Sequence, residues 1–270
     1  MRTASGTVRR ERTDLAMATG CSGCRDGQGI DFAIAMAFHP IVDVEEGAIF
    51  AYEALVRGGA GESAGSVLAR VDAKNRYAFD QACRVKAIET AAALRLDARV
   101  SINFLPNAVY QPEACLRTTI AAASRVGLPL DSIIMEVTEG EKIEDVGHVA
   151  GIFAHYRARG LLTAIDDFGA GYSGLNLLAA LRPDIVKIDM ALVQGIDADR
   201  TRQVILRGIV EVCRGLGIVL VAEGIERIEE EAVLRGMGVR FLQGFLYARP
   251  AVGAMPPVDL ARLRRPGAAA

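Results

Sequence analysis

From residue 100 to residue 245, short apolar runs and longer amphipathic stretches take turns, and this alternation restricts the fold more than any other feature of the chain. The runs are VSINF (100–104), SIIMEV (132–137), LLTAID (161–166), DIVKID (184–189), IVLVAE (218–223) and RFLQGF (240–245). Each has the length and continuity of a buried strand. Helical patterns separate them near 112–126, 141–159, 173–181, 198–216 and 226–236. Upstream, AIAMAFHPIVD (33–43), stopped by Pro40, and IFAYEALVR (49–57) read as two more strands across a turn at Glu45 to Gly47, an expected hairpin. A glycine-rich loop from Gly58 to Gly65 then leads to the helical stretch at 77–96, where Phe79, Cys83, Val85, Ile88 and Ala92 recur at helical spacing. Eight strands alternating with helices favour an α/β fold of the TIM-like (β/α)8 barrel type over an open sheet, with an irregular, antiparallel first strand.

Composition narrows the function. A formal charge of -2 provides no basic stripe for long nucleic acid, so a phosphorylated ligand should be small. The five cysteines are odd in number and scattered, which suits a reducing compartment; Cys21 and Cys24 form one C-x-x-C with no second pair to complete a zinc ribbon. No run reaches membrane-spanning length, and the apolar LAMATG before Cys21 is too short for a signal sequence, so a cytoplasmic protein without membrane contact is expected. Residues 1–29 lack apolar periodicity and read as a flexible leader, 30–252 as the catalytic domain, and 253–270 as an exposed C-terminal tail.

The stretch LLTAIDDFGAGYSGLN (161–176) concentrates the chemistry. A buried strand ends on Asp166 and Asp167 and passes through a glycine-rich turn into a helix. Two adjacent carboxylates at such a mouth repel each other and lose hydration, so they stay ionised only around a positive charge, for which a divalent cation is suited. An Asp-Asp turn that caps the next helix is the plainer reading. Gly169, Gly171 and Gly174 also fit G-x-G-x-x-G with Asp189 some way downstream, but the two acids would face a pyrophosphate with nothing to neutralise them, which argues against a dinucleotide site.

The other strands repeat the theme. Glu53, Asn103, Glu136, Asp166, Lys187, Glu223 and Gln243 all fall at or near strand C-terminal ends, where barrel active sites are assembled. Singly each has an ordinary explanation as a turn, cap or surface residue. Together they give a hard-oxygen set without Cys or His, which favours Mg²⁺ or Mn²⁺ over zinc; His39, His148 and His155 are not grouped at strand ends. Lys187 lies inside the apolar IVKI, where an ammonium needs carboxylates around it, and Asp167 and Glu223 are the expected partners. Beside a metal-bound water it could orient that water or, with a depressed pKa, share its proton.

These residues form a recognisable set. EALVR (53–57) matches the signature EALxR, DDFGAGYS (166–173) resembles DDFGTGYS, and AEGIE (222–226) resembles AEGVE. With INF around Asn103, EVTE from Glu136 to Glu139, VKID around Lys187 and QGF from Gln243, the chain resembles the EAL-domain cyclic di-GMP phosphodiesterases over roughly residues 32–250. The resemblance implies a barrel, usually dimeric, that hydrolyses one phosphodiester of cyclic di-GMP to linear pGpG with two Mg²⁺ or Mn²⁺ ions. It further implies Glu53, Asn103, Glu136 and Asp166 as ligands of one metal, with Asp166 bridging to a second held also by Asp167. Lys187 and Glu223 would position the attacking water, Arg57 and Gln243 would contact substrate or support the site, and Glu139 would anchor the loop after Asp167. The chain departs from the family pattern at His39, commonly Gln, at Ala170 and Gly174, commonly Thr and Ser, and at Gly58-Gly59 after the signature. A non-catalytic cyclic di-GMP receptor or protein-binding module on the same barrel is the alternative.

Overall fold

Strand β1 (Ile34–Asp43) pairs antiparallel with β2 (Ala48–Gly58), from Ile34 opposite Gly58 to Asp43 opposite Ala48. These and the elements below come from a computed structural model, which describes residues 29–139, 143, 145–171 and 174–263. The leader up to residue 28 with Cys21 and Cys24, Tyr172, Ser173 and the last seven residues lie outside the described residues. Contrary to expectation, β1 runs through Pro40. It pairs with β9 (Ala251–Val252) at Ala37 and Phe38 and with β8 (Phe241–Gln243) from Ile41 to Asp43, so Pro40 falls in the gap where a missing N–H costs least.

The remaining strands run parallel to β2. They are β3 (Arg99–Asn103), β4 (Ile133–Thr138), β5 (Leu162–Phe168), β6 (Ile185–Ile188) and β7 (Val219–Ala222). The order β2-β3-β4-β5-β6-β7-β8-β1, with β1 returning to β2, closes the barrel. The antiparallel first strand is present as expected.

Helices cover the outside: α1 (Ala64–Leu68), α2 (Arg76–Ala93), α3 (Pro112–Val126), α4 (Val146–Ala158), α5 (Gly174–Leu181), α6 (Met190–Val193), α7 (Arg200–Leu216), α8 (Ile228–Gly236) and α9 (Leu260–Leu263). Their ends follow local chemistry. Asp145 accepts the His148 N–H and starts α4 later than the apolar pattern suggested. Asp199 accepts N–H groups of Thr201 and Arg202 to start α7, which stops where Gly217 turns left-handed at φ 69°. Not all of the tail is exposed: α9 folds back, Leu263 is buried, and Arg262 pairs with Glu231 of α8 at 3.0 Å. No helix among the described residues is long and apolar enough to cross a membrane.

The barrel interior has two tiers. Ile41, Ala51, Ile134, Ala164, Ile185 and Val221 form a buried apolar cluster in the lower half. Because a strand returns to the same face every second residue, the next inward positions are fixed. Two residues above this floor stand Glu53, Glu136, Asp166, Lys187 and Glu223, and on the antiparallel β1 the step runs the other way, from Ile41 to His39. Register finishes the layer by setting Glu53 beside Ser101 and Asn103 beside Glu136.

Candidate active site

Lys187 is the centre of the upper tier. Its Nζ lies 2.7 Å from Glu223, 3.0 Å from Asp166, 3.3 Å from Glu136 and 3.5 Å from Glu53. Of its two expected partners, Glu223 is present, whereas Asp167 is replaced by the three acids that barrel closure brings in from β2, β4 and β5. The lysine is 1% exposed. Burial works against its charge, but Asp166, Glu136, Glu223 and Glu53 outweigh it and hold the pKa well above the usual lysine value. In this charge environment the four acids hold Lys187 as a cation.

One ammonium does not neutralise five acids. Burial, reinforced by Asp166 and Glu53 against the pull of Lys187, pushes Glu136 up to about 8. Burial and the Asp166 charge push Asp167 up to about 6. Glu223 is raised well above the carboxylate range by burial and Asp166, while Glu53 falls below its usual value because Lys187 and Gln243 overcome its burial. Five acids around one ammonium leave a surplus of carboxyl groups that ionise together only beside further positive charge.

That surplus has a shape. Carboxylate oxygens of Glu53, Glu136 and Asp166 lie within 4.8 Å of one another, as do those of Asp166, Asp167 and Glu223, so the two sets share Asp166. Asn103 adds an amide beside the first set, 3.4 Å from Glu53. All-oxygen donors of this kind fit hard divalent cations such as Mg²⁺ or Mn²⁺. Spacing and charge both suit divalent cations.

The loop after β5 is built around Glu139. Asp167 takes a left-handed backbone, φ 53°, which lifts its side chain out of the strand pleat while its N–H donates to Asp166. Gly169 follows at φ 98° and donates its N–H to Glu139 Oε2 at 2.7 Å. A Cβ on Gly171 would come within 2.8 Å of Glu139 Oε1, and one on Gly174 within 3.2 Å of the Phe168 ring. The glycines let the backbone close over this carboxylate.

Arg57 and Gln243 line the cleft above the acids together with His39, Met190, Gln194 and Phe245, a space of about 310 Å³. Arg57 donates to the Val56 carbonyl at 2.7 Å, and among the described residues no carboxylate is in ion-pair reach of it. Gln243 Nε2 donates to Glu53 Oε2 and to His39 Nδ1, each at 2.9 Å, and His39 Nε2 donates to the Ala248 carbonyl at 3.2 Å. His39 thus acts as acceptor at one end and donor at the other, with both ring nitrogens engaged within the protein. Sequence reasoning missed Ser101, whose hydroxyl donates to Glu136 Oε1. Its signal was a serine inside a buried run, two positions before Asn103 and hence on the same face.

A carboxylate-lined site for divalent cations at the C-terminal mouth of a (β/α)8 barrel defines the class. Residues 31–250 match the model of the EAL domain, and the chain belongs to the EAL domain family. Its fold is similar to a crystal structure of a standalone versatile EAL protein from Vibrio cholerae O395 in its c-di-GMP bound form. The TM-score is 0.84 at 49% identity, over 86% of this chain and 99% of that one. A manganese/cy-diGMP complex of Klebsiella pneumoniae BlrP1 at pH 9.0 gives 0.76 at 35% identity, over 86% of this chain and 61% of that one. Among sequence relatives, the blue light- and temperature-regulated antirepressor BluF of Escherichia coli K12 is 33% identical over 225 residues, 82% of this chain and 55% of BluF. The cyclic di-GMP phosphodiesterase PdeL of the same organism is 35% identical over 130 residues, 48% of this chain and 36% of PdeL. The chain spans about half the length of BluF.

Proposed function

We propose that this chain hydrolyses one phosphodiester bond of cyclic di-GMP to linear pGpG with two divalent cations, Mg²⁺ or Mn²⁺. The observation that carries the reading is the pair of acid sets that share Asp166 around Lys187. Relatives bound to cyclic di-GMP, one of them with manganese, support it.

In this reading Glu53, Asn103, Glu136 and Asp166 would hold one cation, and Asp166 and Asp167 the second. When bound, the pair supplies Lewis acidity to the phosphoryl group and charge stabilisation to the leaving oxygen. The chain's own residues do the rest. Lys187 would orient the attacking water, and Glu223, 2.7 Å from Lys187 Nζ, would take that water's proton once bound cations bring its carboxyl back to the ionised form. The water oxygen attacks phosphorus, the bond to the 3′-oxygen breaks, that oxygen leaves as the 3′-hydroxyl on taking up a proton, balanced by the one lost from the water, and the phosphate stays on the 5′ side as in pGpG. Arg57 offers forked donors to a phosphate. Gln243 steadies Glu53. Glu139 holds the loop that carries Asp167.

We also propose that the chain works in the cytoplasm as a homodimer, with residues 30–252 as the catalytic domain. Val204, Ile205, Val212 and Leu216 leave an exposed apolar stripe on α7 that a second copy could cover. The test of function is incubation with cyclic di-GMP and Mn²⁺ followed by chromatography for pGpG. Binding without product favours the receptor reading, which His39 and the antirepressor name of BluF keep in view. Neither binding nor product refutes both.

A further inference from the structure

On the outer side of β3 a second charged cluster is buried, away from the acids. Asp80 and Arg84 stand one turn apart on α2, 2% and 0% exposed, with Arg84 Nη2 2.6 Å from Asp80 Oδ2. Replacing such a pair with apolar side chains is often neutral or stabilising, because desolvating two charges costs more than their attraction returns. Here the cost is higher still. Among the described residues Arg84 Nε has no hydrogen-bond acceptor. Core stability is therefore a poor reason for two charges at this place.

Their contacts point to another reason. Asp80 Oδ1 accepts the backbone N–H of Leu105 at 2.9 Å. The Arg84 guanidinium lies over the Phe104 ring, 5.4 Å from its centroid, and Nη1 donates to the Tyr156 hydroxyl of α4 at 3.1 Å. Phe104 in turn donates its N–H to the Glu136 carbonyl at 2.9 Å. Residues 104 and 105 are thus pinned from outside the barrel, immediately after Asn103, which is itself in register with Glu136.

We propose that Asp80, braced by Arg84 and Tyr156, is a positioning residue that fixes the backbone after β3 so that the Asn103 amide faces the Glu53, Glu136 and Asp166 carboxylates. This rests on the metal site proposed above. None of the three bracing side chains belongs to that site; they act through Leu105 and Phe104. Partners of this kind, one shell behind a ligand, change metal affinity by about 10–100-fold when removed.

Two double variants separate positioning from packing. D80L/R84M removes both charges and the acceptor for the Leu105 N–H, whereas D80N/R84M removes both charges and keeps an amide oxygen there. Mn²⁺ affinity, read by titration calorimetry on metal-free protein, should fall about tenfold or more in D80L/R84M. In D80N/R84M it should stay within about threefold of wild type, and at saturating Mn²⁺ the KM for cyclic di-GMP should be unchanged in both. Equal affinities in the two variants overturn the proposal. If D80L/R84M does not fold, D80A/R84M carries the test, since it removes the same acceptor for the Leu105 N–H with less bulk; it should weaken Mn²⁺ about tenfold, and wild-type affinity there overturns the proposal. N103A is the reference. Mn²⁺ binding that N103A weakens and the Asp80 variants leave intact removes this inference but not the metal site, and a wild type that binds no Mn²⁺ removes both.

Discussion

Lys187 Nζ lies 2.7 Å from Glu223 Oε1, and three further carboxylates stand within 3.5 Å of the same nitrogen. Without metal, this ammonium is the charge that keeps the acids together. Lys187→Met should therefore destabilise the metal-free protein by roughly 3 kcal/mol, the scale for orphaning buried charges. The thermal midpoint in EDTA should fall by about 6–12 °C and partly recover with Mn²⁺, because cations then replace the lost charge. An unchanged midpoint in EDTA would remove Lys187 from this role.

Glu53→Ala and Asp166→Ala should each fold and lose at least about a thousandfold in pGpG formation, since each removes a donor to the shared cation cluster. Asp166 belongs to both acid sets and Glu53 to one, so Asp166→Ala should lower the number of Mn²⁺ bound the more. Hydrolysis at the wild-type rate by purified Glu53→Ala refutes the assignment.

Gly171→Ala places a methyl within 2.8 Å of Glu139 Oε1, whose partner oxygen holds the Gly169 N–H. The cost should be about 1–3 kcal/mol, with weaker Mn²⁺ activation, because the loop that moves begins at Asp167. Gly151→Ala in α4 meets nothing within 4 Å and serves as the control; it should be neutral or stabilise by about 0.5–1 kcal/mol. Parallel urea melts of the two variants decide this.

His39 accepts from Gln243 and donates to Ala248, so His39→Gln preserves both bonds and should leave kcat within about threefold of wild type. His39→Ala removes Gln243's second partner and should lower kcat about tenfold or more. Steady-state kinetics that rank the two variants the other way would show that this histidine does more than replace a glutamine.

Asp43 accepts from Arg240 Nη2 at 2.6 Å and from the N–H groups of Glu45 and Glu46. Burial opposes its charge, yet these bonds prevail and hold its carboxyl below the usual value. A group lowered on folding contributes stability above its unfolded pKa and loses it as the pH drops through the folded one. Asp43→Asn should then cost roughly 1–2 kcal/mol at neutral pH, and the gap to wild type should close below about pH 4. Chemical denaturation at the two pH values tests the sign.

Much of this site was legible in the chain because strand periodicity is rigid. Ala51 and Glu53, Ile134 and Glu136, Ala164 and Asp166, Ile185 and Lys187 each repeat an apolar residue followed two places later by a charged one, and one face of a barrel collects them all. What surrounds Lys187 was less legible. Its neighbours Glu53 and Glu136 come from strands whose approach depends on closure and register, which no local pattern encodes. A break in the pleat at Asp166 and Asp167 could be expected if both acids were to reach one site, but not its form, a left-handed turn at Asp167, which is rare for residues other than glycine. Asp80 and Arg84 gave no signal either: on an amphipathic helix a charged pair one turn apart reads as a solvated face, and only the fold shows it buried.

The apolar floor of Ile41, Ala51, Ile134, Ala164, Ile185 and Val221 seals the barrel beneath the acids. On the proposed function, cations, water and nucleotide would therefore share one doorway, and whatever leaves would go out the way it came in. A product slow to depart would bar the next substrate, which makes traffic through the rim beside Arg57, Met190 and Phe245 a natural throttle on turnover.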